Sequence, residues 1–90
     1  MKILLLGAGA REHAIAWALR RSPKVERLDA APGNPGIAAL ANCHDVDICD
    51  PDEVLNLVEK TGAQLVVIGP EAPLVAGVAD ILRANNIRVF

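Results

Sequence analysis

The stretch Lys2-Ile3-Leu4-Leu5-Leu6-Gly7-Ala8-Gly9-Ala10-Arg11-Glu12 decides the fold. Ile3 to Leu6 is a continuous apolar run, the pattern of a strand covered on both faces in a parallel sheet. Gly7 and Gly9 follow at once, and a helical pattern then covers Arg11 to Arg21. Strand, glycine turn and helix in that order form an anion site. Glycine lets the backbone turn sharply and approach a ligand, while the helix start offers unpaired N–H groups and the positive end of its dipole. A phosphate is the expected occupant. The competing reading is a tight turn that binds nothing and whose glycines serve packing.

Residue 12 narrows the ligand. The dinucleotide fingerprint G-x-G-x-x-G places a third glycine there, so that helix and strand can pack closely under a pyrophosphate. This chain has Glu12. A carboxylate in the first turn suits the helix dipole but repels a phosphate, so Glu12 is expected to point away from the ligand or to be offset by Arg11. A single phosphate suits this loop better than a dinucleotide.

Outward from the loop, Ala14, Ile15, Trp17, Ala18 and Leu19 form an apolar stripe that predicts Trp17 in the core, and Ser22-Pro23 ends the helix. His13, in the first turn, is either a solvated helix histidine or a neighbour of the anion. Val25 to Ala30 reads as the second strand. Asp29 stands twenty residues after Gly9, where a nucleotide-binding fold places its ribose-binding acid, and taken alone it favours NAD. In Ala31-Pro32-Gly33-Asn34-Pro35-Gly36, Asn34 is suited to cap a short helix over Pro35 to Ala41, with Pro35 at its first position. That helix would set a second ring of N–H groups beside the first, although a plain turn and cap explains the same residues.

Asp45 to Ile48 predicts a short third strand. Cys43 and Cys49 read as small apolar side chains facing inward, since no zinc-like spacing joins them to His44, Asp45 and Asp47. Asp50-Pro51-Asp52-Glu53 is a strong helix start with a capping-box pattern, and Gly62 is placed to end that helix. Leu65 to Ile68 is a fourth strand, followed by Gly69-Pro70-Glu71-Ala72-Pro73. Glu71 lies just past the carboxyl end of a central strand, where open α/β sheets bind ligands, and is suited to accept hydrogen bonds from sugar hydroxyls. Its alternative role is a carboxylate at the start of the next helix. That helix is expected over residues 74–84, burying Leu74, Val75, Val78 and Leu82, with Asn85-Asn86 at its end and a fifth strand from Ile87 to Phe90.

The alternation of strands and helices, with right-handed crossovers, predicts an α/β fold: a three-layer open parallel sheet of five strands in the order 3-2-1-4-5. The switch point then lies between strands 1 and 4, flanked by Gly7–Arg11 and Glu71. Ninety residues make one domain, here 1–90, burying roughly 60–65% of its unfolded surface. The net charge of −2 argues against nucleic acid and anionic membranes as partners, and no apolar run approaches the ~18–20 residues of a membrane span. The apolar start is too short for a signal peptide and runs straight into the βα motif, so the cytoplasm is the expected compartment.

Three motifs, Gly7-Ala-Gly-Ala-Arg-Glu-His-Ala14, Ala31-Pro-Gly-Asn-Pro-Gly36 and Gly69-Pro-Glu-Ala-Pro-Leu-Val-Ala-Gly77, resemble in order and spacing the N-terminal domain of the glycinamide ribonucleotide synthetase family, the phosphoribosylamine–glycine ligases. The resemblance covers essentially the whole chain. Ala8 and Ala10 depart from a loop usually richer in glycine. The resemblance implies a Rossmann-like, pre-ATP-grasp fold within an ATP-dependent ligase of purine biosynthesis that joins glycine to 5-phosphoribosylamine through a glycyl phosphate. It implies that the ATP-grasp and C-terminal domains, absent here, hold ATP and Mg2+ or Mn2+, and that this domain binds no cofactor and is inactive alone, as an excised fragment would be. The expected substrate-binding residues are Gly7, Gly9, Ala10, Arg11, Gly33, Asn34, Pro70 and Glu71, with no catalytic or metal-binding residue. The expected partners are phosphoribosylamine, the ATP-grasp domain of the same enzyme and, weakly, a second copy through apolar surface near Val89 and Phe90. Two other classes compete: an NAD-binding oxidoreductase domain, resting on Gly7, Gly9 and Asp29, and a folding unit that binds nothing.

Overall fold

The computed structural model describes residues 1–90. Five strands are β1 (Lys2–Gly7), β2 (Arg27–Pro32), β3 (Asn42–Cys43), β4 (Leu65–Ile68) and β5 (Arg88–Val89). Five helices lie between them: α1 (Ala10–Arg20), α2 (Pro35–Ala38), α3 (Pro51–Thr61), α4 (Ala72–Val75) and α5 (Val78–Ala84). All four strand pairings are parallel and the order is β3-β2-β1-β4-β5. The central β1 pairs Leu4 with Asp29 on one side and with Val66 on the other.

Successive side chains of a strand face opposite sides of a sheet, and β1 therefore serves two cores. Leu4 and Leu6 pack with Val54, Leu57, Val58, Val66, Val78 and Leu82 on the side of α3 and α5. Ile3 and Leu5 pack with Ala16, Leu28 and Ile37 on the side of α1 and α2. In the central pair, Leu4, Leu6 and Val66 are fully buried and Ile68 is half-buried.

Local signals set the helix ends. Asp50 accepts from the N–H groups of Asp52 at 3.0 Å and Glu53 at 3.3 Å, Pro51 occupies the first helical position, and Gly62 ends α3 with φ 72°. The reciprocal half of the capping box is not formed, because the N–H of Asp50 donates to the Asp47 carbonyl at 3.1 Å. Asn34 caps α2 through Ile37 N–H at 2.8 Å, as its position before Pro35 indicates. Asn86 adopts φ 63°, the left-handed conformation that ends the α5 region.

Four expectations are corrected. The third strand is Asn42–Cys43, not Asp45–Ile48. The chain leaves the short α2 beside β2 and pairs as soon as it arrives, and His44 N–H extends that ladder to the Ala30 carbonyl at 2.8 Å. Val46 and Ile48 pack partly against the core without pairing. The helix expected over 74–84 is broken: Gly77 at φ 84° separates α4 from α5, so Pro73 is buried while Leu74 and Val75 face outward, Val75 at 88% exposure. Trp17 is 54% exposed, because Ile15, Ala16 and Leu19 supply the inward face of α1; its ring carries the Arg21 guanidinium 4.3 Å from its centroid. Both cysteines are exposed free thiols and do not face inward.

Candidate functional site

Three loops meet at the carboxyl ends of β1, β2 and β4, and hydrogen bonds tie them together. Asn34 Nδ2 donates to the Ala8 carbonyl at 2.8 Å, and Gly33 N–H donates to the Gly7 carbonyl at 3.2 Å. From the other side Arg11 Nη2 donates to the Gly69 carbonyl at 2.7 Å. The β1–α1 loop is thus held between its neighbours, and the start of α1 opens onto the switch point. Ala10, Arg11 and Glu12 form the first turn of α1, whose N–H groups have no carbonyl four residues back within the helix. They point at the crevice with the positive end of the helix dipole.

All eight sequence-derived site residues lie on this edge, but their parts differ. Gly7 has φ 137°, and a Cβ there would collide with the Glu12 side chain. Gly33 has φ 76°, and a Cβ there would collide with Cys43 Sγ. These two glycines are demanded by neighbours within the protein, independent of any ligand. Both ends of the Asn34 amide have internal partners, Ala8 and Ile37, so its side chain joins two loops. The second ring of N–H groups does not form as expected: α2 has four residues and Asn34 takes one of its free donors. Gly9 is exposed and caps α1 in an extended conformation; Ala10 and the Arg11 guanidinium are exposed beside it. Half-buried Pro70 leads to Glu71, which is exposed and makes no capping bond to α4. Its carboxylate is exposed three residues beyond the end of β4, without a helix-capping role.

Glu12 is 6% exposed and turns inward, and of its two expected outcomes the offset by Arg11 is the one the structure shows. Its Oε1 accepts from Gly9 N–H at 3.3 Å, and its Oε2 lies 3.6 Å from Arg11 Nε. A Cβ on Gly69, at the end of β4, would lie 2.6 Å from Glu12 Cδ. The side chain fills the space between the ends of β1 and β4. Its only sequence signal is a carboxylate where a third glycine is expected, with glycines at both neighbouring strand ends.

Asp29 corrects the sequence reading. It is 1% exposed, and its carboxylate receives Arg27 Nε at 2.8 Å and pairs with His44 Nε2 at 2.9 Å. It joins β2 to the segment after β3 and is not presented to a ribose. His13 lies with its ring against Gly36, where a Cβ would come within 2.6 Å of its Cε1, so it packs α1 against α2. A shallow cleft of about 310 Å³ beside Ala10 is lined by His13, Ala14 and Trp17. The largest concavity, about 490 Å³, lies away from the loops, between the β3 region and α3.

The all-parallel sheet in the order β3-β2-β1-β4-β5, with helices on its faces, defines an α/β fold of the Rossmann-like class. The family described as "Phosphoribosylglycinamide synthetase, N domain" matches residues 1–90, and the chain belongs to this family. Proteins named phosphoribosylamine–glycine ligase from Mesorhizobium japonicum and Mycobacterium tuberculosis are 56% and 52% identical to it over 90 residues. The chain is covered completely in both matches and spans about a fifth (21%) of the length of these curated relatives. A crystal structure of phosphoribosylamine–glycine ligase from Thermotoga maritima superposes with a TM-score of 0.62 at 25% identity, covering 80% of this chain and 16% of that one. Saccharopine dehydrogenase from Saccharomyces cerevisiae shares the fold alone, with a TM-score of 0.75 at 16% identity over 98% of this chain and 20% of its own.

Proposed function

We propose that the domain binds the phosphoribosylamine of an ATP-dependent ligase that joins it to glycine in purine biosynthesis. The observation that carries this reading is the juxtaposition, at one switch point, of a free helix start with an exposed arginine and an uncapped carboxylate. In this reading the phosphate rests on the N–H groups of Gly9, Ala10 and Arg11, with the Arg11 guanidinium beside it. Competition with Glu12 for the Gly9 donor shifts the phosphate toward Ala10 and Arg11. The ribose hydroxyls reach Glu71, which Pro70 stiffens. Gly33 and Asn34 hold the loop from behind, and Gly7 makes room for Glu12. The domain binds and orients substrate, and its own residues supply no base or nucleophile for the ligation. ATP and Mg2+ or Mn2+ are assigned to the ATP-grasp domain of the same enzyme, the partner this domain serves. No group of three or more His, Cys, Asp or Glu side chains in this chain is placed to hold a metal ion.

Titration of the intact protein with ribose 5-phosphate, a stable stand-in for phosphoribosylamine, tests the reading. Saturable binding that is weakened roughly thirtyfold in Arg11→Ala and less in Glu71→Gln supports it. Binding unaffected by either substitution refutes it. An oxidoreductase domain has less support, because Asp29 is committed to Arg27 and His44.

A further inference from the structure

We infer that Glu12 sets the size of anion this crevice admits: its side chain occupies the space at the switch point where the diphosphate of a dinucleotide would lie, and so bars dinucleotides from the loop. This deepens the substrate reading above, and rests on it only for the identity of the monophosphate that is admitted.

Glycines at two strand ends surround this one carboxylate. At Gly7 a Cβ would strike Glu12 Cγ and Oε1, and at Gly69 it would lie 2.6 Å from Cδ and Cγ. Gly9 sits against Oε1, with a Cβ there at 3.5 Å. Gly69 has no positive φ, so no backbone conformation requires glycine there; the side chain of Glu12 does. The carboxylate also engages the Gly9 N–H at 3.3 Å. The second glycine of a dinucleotide loop lets the backbone approach the pyrophosphate, and here an internal anion already faces that position. A bound diphosphate would have to displace a nine-tenths buried carboxylate or lie against it as a like charge. Arg11 ties the start of α1 to the end of β4, donating to the Gly69 carbonyl at 2.7 Å with Nε 3.6 Å from Glu12. A monophosphate on the Ala10 and Arg11 N–H groups avoids this buried space.

The test titrates the intact protein with NAD+ and with ribose 5-phosphate, in the native form and as Glu12→Gly and Glu12→Gln. The native protein is expected to give no NAD+ binding. Glu12→Gly should gain NAD+ binding at least about tenfold tighter than the native upper bound, and because it frees the Gly9 donor it should keep ribose 5-phosphate bound at least as tightly as the native form does. Glu12→Gln fills the same space and should still reject NAD+. A folded Glu12→Gly with no gain overturns the inference, and so does a Glu12→Gln that gains as much as Glu12→Gly. A stability cycle covers the case in which Glu12→Gly does not fold. Gly69→Ala should lower the melting temperature of the native protein and lose that effect when combined with Glu12→Ala, because the added methyl group then enters vacated space. An equal drop in both backgrounds overturns the packing on which the inference stands. If Glu12→Gly gains NAD+ while neither form binds ribose 5-phosphate, the exclusion holds and the phosphoribosylamine reading fails.

Discussion

Two buried carboxylates lie on opposite sides of β1, and they are treated in opposite ways. Asp29 on β2 is held by two basic side chains, Arg27 at 2.8 Å and His44 at 2.9 Å. Glu12 on α1 has a backbone N–H at 3.3 Å and an arginine at 3.6 Å whose guanidinium is directed to another acceptor at 2.7 Å. A buried charge is costly unless it is paired and hydrogen-bonded. The first acid meets that requirement and acts as a joint between strands. The second meets it loosely, at the loop where a ligand is expected, which is where incompletely paired charges tend to serve function. Position in the sheet separates the two: Asp29 faces the closed β2–β3 side, and Glu12 faces the open switch point.

The largest expected effect breaks the closed side. Asp29→Ala removes the anion and leaves two basic groups without it. The loss of a buried ion-pair partner costs about 3–5 kcal/mol, and Arg27, 43% exposed, recovers part of that by turning to water, so about 2–3 kcal/mol is expected in urea unfolding. A change under about 0.5 kcal/mol would show that the triad holds nothing.

On the open side, Arg11→Ala should weaken ribose 5-phosphate binding by about 2 kcal/mol, since charge-assisted contacts to phosphate are the strong ones. Urea unfolding should move by less than about 1 kcal/mol, because the Arg11 side chain is mostly exposed. Equal losses of affinity and stability would assign Arg11 to the fold.

A smaller effect separates sugar from phosphate. Glu71→Gln keeps the shape and removes a charged acceptor, at a cost of about 1–2 kcal/mol in affinity for the sugar phosphate. In a full-length ligase this should read as poorer use of phosphoribosylamine with ATP and glycine little affected. Impaired use of ATP alone would move the sugar site elsewhere.

The smallest effect sharpens the contrast between the acids. Glu12→Gln keeps an oxygen that can accept from Gly9 N–H and should change stability by less than about 1 kcal/mol. Asp29→Asn loses charge against two basic partners and should cost more. Thermal melts of the two amide variants make the comparison, and a larger loss for Glu12→Gln would reverse the assignment of joint and open acid.

How much of this was legible follows from the range of each interaction. Ile3–Leu6 and Leu65–Ile68 announce buried parallel strands because both faces of such a strand are apolar. Asn34-Pro35, Asp50-Pro51 and Gly62 mark helix ends because caps act within three or four residues. The place of the eight site residues on one sheet edge followed from strand order. The inward turn of Glu12, the pairing of Asp29 with His44 and the exposure of Trp17 were not legible, because each depends on elements brought together by the fold. The break at Gly77 had a glycine as its signal, but one glycine in a helical pattern does not distinguish a tolerated residue from a left-handed stop.

The sequence by itself determined the parallel α/β fold, the strand order and the location of the candidate site, since hydrophobic period, caps and right-handed crossovers are local or topological rules. Only the tertiary structure decided which residues at that site are free to meet a ligand. Gly7, Gly33 and Gly69 give way to Glu12 or Cys43, Asn34 bonds Ala8, and Asp29 is held by Arg27 and His44. Arg11, although it donates to the Gly69 carbonyl, and Glu71 keep exposed charged groups just beyond the carboxyl ends of β1 and β4. The physical reason is that a side chain's availability depends on its neighbours in space, and across the ends of β1, β2 and β4 those neighbours are up to 58 residues apart in the chain.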